Sequence, residues 1–465
     1  MTNWLPDISD AQTTKYLALA DEIASAIKDG SLPPGTKMPP QRNLAYDIGV
    51  TLGTVSRGYK EAERRGLIGG EVGRGTFVLG NRPRQTDDYL IPDDDLPAGV
   101  IDLGRAIPIP GRAGAALAES MAEIAQDPNI DALCNYQLNT GMAPHLEVGA
   151  TWMERQGVDH ASADRITITS GTQHGIMACL MALTNPGDTI LVDTLTYPGI
   201  IHLARSFGYR LETVAADENG MIPEALEEAC RRYAPSMLYF MPNLHNPTAI
   251  SMPADRRIEI AEVAKKTGLF ILEDDIWGPL INTNTPLITN LLPDQTFYLS
   301  SFSKCMAPGL RIGYIHGPSR LTERLRASIR VSCWMPPPLM AEVTRRWILD
   351  GTGDELINWQ REQTTLRSDA ALACLTNHKV SYYPGAHHLW LELPEPWNAR
   401  DFKSRAEERG VRIFASDAFA VDRHKAPDAI RLSFGRPDTV EEIVKGMTIL
   451  TEILDEDPES NFNIL

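Results

Sequence analysis

The run Ser300-Ser301-Phe302-Ser303-Lys304-Cys305-Met306-Ala307-Pro308-Gly309-Leu310-Arg311-Ile312-Gly313-Tyr314 carries the residue types that suit a phosphate-bearing aldehyde. A lysine amine condenses with an aldehyde to a Schiff base. Serines just before it and an arginine seven positions after it are donors for a phosphate dianion, the arginine in bidentate fashion. Three other segments supply matching pieces. Thr169-Ser170-Gly171-Thr172-Gln173 joins a strand to a helix, where free backbone N–H groups and the helix dipole make an anion site. Leu272-Glu273-Asp274-Asp275 ends a strand, and a buried carboxylate there would keep a pyridine nitrogen protonated. In Pro242-Asn243-Leu244-His245-Asn246-Pro247-Thr248, Asn246 can hydrogen-bond a phenolate oxygen. Taken singly, these read as a surface lysine, a common strand–glycine–helix junction, an exposed acidic pair and an Asn-Pro turn. Together they all fall at carboxyl ends of expected strands, where open α/β sheets bind ligands.

The elements that must position these residues alternate along the chain. Apolar strand-like runs occur at 165–169, 189–193, 210–215, 236–241, 269–273, 296–300 and 311–316, with amphipathic helix-length segments at 175–183, 223–232 and 254–266. Such alternation implies an α/β domain with a largely parallel sheet covered on both faces. The final ~130 residues are more mixed and are expected to form a smaller α+β lobe.

The first 80 residues follow another plan. Tyr16, Leu19, Ile23 and Ile27 fall at helical spacing, and Gly30 with Pro33-Pro34-Gly35 ends that helix. A short second helix has Leu44, Ala45 and Ile48 inward. Thr51 can cap a third, in which Leu52, Val55, Tyr59 and Ala62 define the buried face and Gly66 is the stop. Residues 67–72, a Gly73-Arg74-Gly75 turn and residues 76–79 then read as a β-hairpin. Three short helices and a hairpin give a winged helix-turn-helix. The third helix turns Gly53, Thr54, Ser56, Arg57, Lys60 and Arg64 away from its apolar face, where a helix in the major groove reads base edges. Arg42 and Arg74 would add backbone contacts from the second helix and the wing. A basic outer face is also what any solvated helix shows.

Charge is distributed unevenly. The 465 residues hold 44 Lys plus Arg and 61 Asp plus Glu, a net charge of −17, yet the first 80 residues are balanced, so the whole deficit lies beyond them. A DNA-binding end on an acidic body is therefore compatible with the composition. The span 81–99 contains three prolines and five aspartates and reads as a linker between domains at 11–80 and 100–465. Six cysteines are scattered singly without a CxxC pair, which argues against a zinc ribbon or a disulfide framework. No metal site is expected. There is no signal-like N-terminus and no apolar run of membrane-spanning length, so the expectation is a cytoplasmic protein with no membrane partner.

The segments Ile27-x-x-Gly30-x-Leu32-x-Pro34-Gly35, Pro39-x-x-Arg42-x-Leu44-Ala45, Gly49-Val50-Thr51, Thr54-Val55 and Gly66-Leu67-Ile68 through Gly73-Arg74-Gly75-Thr76-Phe77-Val78 resemble the GntR-type winged-helix signature. From about Asp102 to Arg436 the chain resembles fold-type I aminotransferases. The combination looks like the MocR family of transcriptional regulators. That resemblance implies pyridoxal 5'-phosphate as cofactor, with Lys304 as the Schiff-base lysine, Asp274 as pyridinium partner and Asn246 as the O3′ donor. It further implies a phosphate cup of Gly171, Thr172, Gln173, Ser301, Ser303 and Arg311, with Tyr197 stacked on the ring. Tyr136 would reach a phosphate across a dimer interface, and Arg431 would clamp an effector carboxylate. The implied partners are double-stranded promoter DNA, a small amino-compound effector sensed by transimination at Lys304, and a second copy in a head-to-tail homodimer.

Three departures from the family pattern stand out. Where relatives place a tyrosine two or three residues after the aspartate, this chain has Ile276 and Trp277, and an indole offers no hydroxyl to O3′. Leu52 and Gly53 stand where many relatives carry an arginine, so the operator cannot be borrowed from them. Glu147 replaces a common arginine. The reading is thus a regulator on an aminotransferase scaffold with weak or absent turnover. The alternative is a catalytically active aminotransferase with a vestigial DNA-binding domain.

Overall fold

The structure, a computed structural model, describes residues 4–6, 8, 14–33, 35–64, 67–71, 75–78, 97, 99–137, 141–281 and 284–456. The chain divides into two compact units, Met1–Asp93 and Asp94–Leu465. Gly66, Arg74 and most of the 81–99 span lie outside the described residues.

In the first unit, helices α1 (Lys15–Lys28), α2 (Gln41–Asp47) and α3 (Leu52–Arg64) precede an antiparallel pair, β1 (Ile68–Glu71) and β2 (Gly75–Val78). The core joins Leu19, Ile23, Leu44, Val55, Tyr59, Ile68 and Val78. Thr51 caps α3, its Oγ1 accepting the Thr54 N–H at 3.2 Å, which satisfies one of the orphan donors of a helix start. Helices α1 and α3 meet closely at Gly58, where a Cβ would stand 2.7 Å from Leu19 Cδ2. Leu52 departs from expectation. It is 44% exposed, because the first turn of α3 projects past the core in which Val55, Tyr59 and Ala62 are buried.

The second unit is built on a seven-stranded sheet: β3 (Ile166–Thr169), β4 (Thr189–Asp193), β5 (Arg210–Val214), β6 (Met237–Phe240), β7 (Phe270–Asp274), β8 (Thr296–Ser301) and β9 (Gly313–His316). Their order is β3-β9-β8-β7-β6-β4-β5, parallel throughout except that β9 runs antiparallel to both neighbours. Most of these strands are buried along their whole length, which is why they read as continuous apolar runs. Alternate residues serve two cores. Ile190, Val192 and Leu272 join one; Leu191, Leu238 and Ile271 join the other with Leu226 and Ile260 from helices Pro223–Tyr233 and Ala254–Thr267.

A second lobe carries a four-stranded antiparallel sheet of Val380–Ser381, His388–Glu392, Ala429–Ser433 and Phe414–Ala415, backed by Ala399–Glu408 and Val440–Leu454. The lobe is not made from the C-terminal residues alone. The short strand Ile101–Asp102 pairs in parallel with Val411–Arg412, bringing residues 101–107 to the site. No helix among the described residues is long and apolar enough to cross a membrane.

Candidate functional site

Lys304 follows β8 by three residues and is half-buried. Its Nζ donates to the carbonyl of Ala106 and lies 5.5 Å from the centroid of the Trp277 ring. Burial first, then the positive charges of Arg431 and Arg311, push its pKa down to about 8, against the opposing pull of Asp274. The amine is therefore unprotonated at a far lower pH than that of a surface lysine.

Asp274 closes β7 and is buried. The Tyr239 hydroxyl donates to its Oδ2 at 2.8 Å and the Ile276 N–H to its Oδ1 at 3.3 Å. Burial, reinforced by neighbouring Asp275, raises its pKa to about 7, so a facing cation is what would hold it ionised. Asp275 anchors the adjoining loop, with its Oδ2 accepting from Tyr298 at 2.6 Å and from Asn243 at 3.1 Å, while buried Arg257 donates to Asn243 Oδ1 at 2.5 Å. That network holds the 242–246 turn on which Asn246 sits.

The anion cradle is assembled from two loops. Gly171 has φ 83°, open to glycine, and a Cβ there would come within 2.6 Å of the Arg311 guanidinium. It begins the helix Thr172–Leu183, so the helix N-terminus and Arg311 face the same space. Arg311 donates to Ser170 O at 3.0 Å and to Ser303 Oγ at 3.4 Å, and the Ser303 N–H reaches Ser301 Oγ at 3.4 Å. Thr172 Oγ1 and Gln173 Oε1 are buried without a partner among the described residues. A phosphate would supply an acceptor for the threonine hydroxyl and the spare arginine and backbone donors. The other Gln173 amide atom reaches Gly199 O at 3.4 Å, and the Tyr197 ring fills the space a Gly199 side chain would need. These residues fit a phosphorylated pyridine aldehyde.

Arg431 lies in the second lobe, 1% exposed, under Phe419 at 4.7 Å and Phe414 at 5.7 Å. It donates to Asn246 Oδ1 at 2.8 Å and to Gly104 O at 2.7 Å. The structure thus joins Gly171, Gln173, Tyr197, Asn246, Ser301, Ser303, Arg311, Asp274 and Lys304, on the loops and strand ends of the seven-stranded sheet, with Arg431 from the middle of the second-lobe strand Ala429–Ser433. Tyr136 stands apart from them, 77% exposed and edge-on to Trp334 at 5.8 Å. Glu147 is exposed. Trp277 is buried against His387 and His388, with ring centroids at 5.6 and 5.4 Å, and its N–H has no partner among the described residues. Unforeseen in the sequence were Tyr239, the pair His387 and His388, and the main-chain carbonyls of Gly104 and Ala106.

On the first unit, Arg42, Arg57 and Lys60 are exposed and Thr54 and Ser56 half-buried. Thr54 shares its hydroxyl with Thr51 at 2.9 Å, so it serves the helix cap. Arg74 lies outside the described residues.

Residues 15–78 match the model of bacterial regulatory proteins of the gntR family, and residues 116–447 that of aminotransferase class I and II. The chain is 31% identical over 454 residues to the uncharacterized HTH-type transcriptional regulator YdeF of Bacillus subtilis (strain 168), covering 98% of this chain and 97% of that one. It is 30% identical over 293 residues to the mitochondrial kynurenine/alpha-aminoadipate aminotransferase of Bos taurus, 58% of this chain and 69% of that one. Among solved structures, the kynurenine aminotransferase of Pyrococcus horikoshii, in complex with PMP, aligns with a TM-score of 0.71 at 25% identity, over 77% of this chain and 91% of that one.

Proposed function

We propose, for a chain that belongs to the MocR family of HTH-type transcriptional regulators, with a gntR-family head and an aminotransferase class I and II body, that it is a promoter-binding regulator set by an amino compound. When bound, pyridoxal 5'-phosphate would supply an aldehyde that condenses reversibly with amines, with Lys304 as the residue that would hold it and yield to an amino compound. The protein's own residues do the rest. Gly171, Thr172, Gln173, Ser301, Ser303 and Arg311 would hold the phosphate; Tyr197 would cover the ring face; Asn246 would bond O3′; Asp274 would hold the proton on the ring nitrogen. Arg431 takes the effector carboxylate, and lobe closure around it biases the heads through the 81–99 linker. The bias is only as large as the effector's preference for the closed body. The acting species would be a cytoplasmic head-to-tail homodimer, with Tyr136 reaching toward the partner's phosphate.

The observation that carries this reading is the half-buried Lys304 amine, its pKa brought to about 8 by burial and the charges of Arg431 and Arg311, in a chain that also bears a winged helix. Its test is a visible-absorbance titration with candidate amines alongside promoter-DNA binding: spectrum and affinity should saturate at the same amine concentration. A spectral change that leaves DNA affinity untouched would reject the switch. The completeness of the site favours a second reading, an active aminotransferase with a vestigial head. Rapid multiple turnover without any promoter effect would select it.

Three expectations follow, one for the body and two for the head. With the Lys304 pKa at about 8, covalent capture of pyridoxal phosphate by the cofactor-free protein should speed up as pH rises and level off just above 8. A rate still climbing toward pH 10 would mean an ordinary lysine. In the head, Arg57→Ala should weaken operator binding about tenfold, in line with the ~1–3 kcal/mol of an arginine base contact, while visible absorbance stays unchanged. Operator affinity should also fall steeply with salt, roughly 10³-fold between 50 and 200 mM for six phosphate contacts. A flat salt response would count against groove binding.

A further inference from the structure

A cavity of about 260 Å³ lies beside the cofactor site, at the ends of β4 and β6. Its walls are mainly apolar, with Met221, Phe240, Met241 and Met252 all buried, and methionines give such a wall adaptable shape. Among the described residues two carboxylates line it and no lysine or arginine does. Asp217 is neutralised from outside by Arg256, which donates to both of its oxygens at 3.0 Å. Asp193, only 6% exposed, faces His245 Nε2 at 3.6 Å and is the cavity's buried carboxylate without an arginine or lysine partner among the described residues.

An apolar chamber of this volume with one such carboxylate at its wall is complementary to a compact hydrophobic cation. We propose that the cavity is a second ligand site, separate from the Lys304 cleft, for a protonated amine bearing an apolar group of about phenyl size. Asp193 takes the ammonium and the methionine-rich wall the hydrocarbon.

The site is placed to be felt elsewhere. Pro427 of the second lobe closes one side, so the chamber lies at the seam between lobes. Across that seam Leu195 bridges Ala420, and the Thr196 N–H donates to Phe419 O at 2.8 Å; Phe419 in turn covers Arg431. The wall residues Leu195 and His245 lead within two residues to Tyr197 and Asn246, and His245 O accepts from His388 Nε2 at 3.2 Å. An occupant would therefore bear on both the ring-covering tyrosine and the O3′ asparagine. Binding stands independently of the regulatory reading; only its effect on the cofactor rests on that reading.

The test uses the full-length, pyridoxal phosphate-loaded protein and N,N-dimethyl-2-phenylethylamine, a tertiary amine that cannot form an imine. Calorimetry should show saturable 1:1 binding, at least tenfold tighter than to the neutral isostere isopentylbenzene. Asp193→Asn should erase that preference. Ala216→Trp, at an exposed position on the rim, should weaken binding tenfold or more, and both variants should keep the visible band of wild type. Protein whose Lys304 has first been locked to the cofactor with borohydride should bind the probe as well as untreated protein. No saturation up to millimolar probe, equal binding by wild type and Ala216→Trp, or loss of binding in the locked protein would overturn the proposal. If the protein fails to take up pyridoxal phosphate, the regulatory reading falls, and calorimetry on the cofactor-free chain still decides this one.

Discussion

Lys304→Ala is expected to abolish covalent capture of pyridoxal phosphate, leaving no visible band and no borohydride-fixed adduct, and to remove every response of DNA affinity to amines. Basal operator affinity should stay within about twofold of wild type, since the head folds around its own core. The same variant carries a thermodynamic signature that a merely structural lysine would lack. The folded-state pKa of Lys304 is lowered from the ordinary 10.5 to about 8. Below pH 8 the buried ammonium therefore destabilises the cofactor-free protein fully. Between 8 and 10.5 the unfolded chain holds the extra proton, so wild type gains stability relative to Lys304→Ala as pH rises. The gain should approach about 3 kcal/mol, at 1.36 kcal/mol for each pKa unit. Parallel stability curves for the two proteins from pH 7 to 10 would show that the amine is not held in a desolvated, electropositive place. Amine-responsive DNA binding that survives the substitution would reduce the body to a dimerising scaffold.

The chemistry was legible because its carriers sit at strand ends, and buried parallel strands announce themselves as apolar runs. Lys304, Asp274 and Asn246 each follow or close such a run, so type and placement coincide. Boundaries slipped where one residue's backbone decides. The helix read as starting at Gly175 starts at Thr172, because Gly171 at φ 83° turns the chain directly into it. Arg311, read as the first residue of a strand, lies outside β9; its φ is 51° and its guanidinium folds back to Ser170 O. Leu52 matched the helical period of the core yet lies beyond it, since periodicity reports a face and not where along the helix the neighbours stop. Other contributors leave no mark in sequence at all. Gly104 and Ala106 act through carbonyls that every residue has, and they arrive from the far end of the body because 101–102 pairs with 411–412. Tyr239 lies in an apolar strand, where a tyrosine reads as core filling until its hydroxyl is seen on Asp274.

The substitution at Trp277 bears on whether this site turns over or only senses. A tyrosine hydroxyl there would donate to O3′; the indole is buried beside two histidines and stacks its face toward the Lys304 ammonium instead. Burial drives the pKa of His387 down to about 4, so that ring is neutral at physiological pH and adds no charge to the site. On the proposed reading O3′ would be served by Asn246, whose Oδ1 is already engaged by Arg431. Cofactor electronics and effector recognition would thereby be joined through one asparagine side chain.

That linkage makes Arg431 the second decisive position. Arg431→Leu should lower affinity for an amino-acid effector by about 100-fold or more, from the ~2–5 kcal/mol typical of truncating one side of a buried charge pair. The amine made by removing the effector's carboxylate should lose far less, because it never met the guanidinium. The ratio between the two ligands is the diagnostic quantity, since any general loosening of the site would weaken both. Arg431→Lys keeps the charge but not the planar fork that spans Asn246 and Gly104, so it should fall between wild type and leucine. A second readout is independent of effector. Arg431 is the largest electrostatic contribution to the lowered Lys304 pKa, after burial. Removing it should move the midpoint of cofactor capture upward from pH 8, and Arg431→Lys should leave it nearly in place. Equal losses for the amino acid and its decarboxylated amine, with an unmoved midpoint, would mean that Arg431 only ties the second lobe to Asn246 and that the carboxylate is recognised elsewhere.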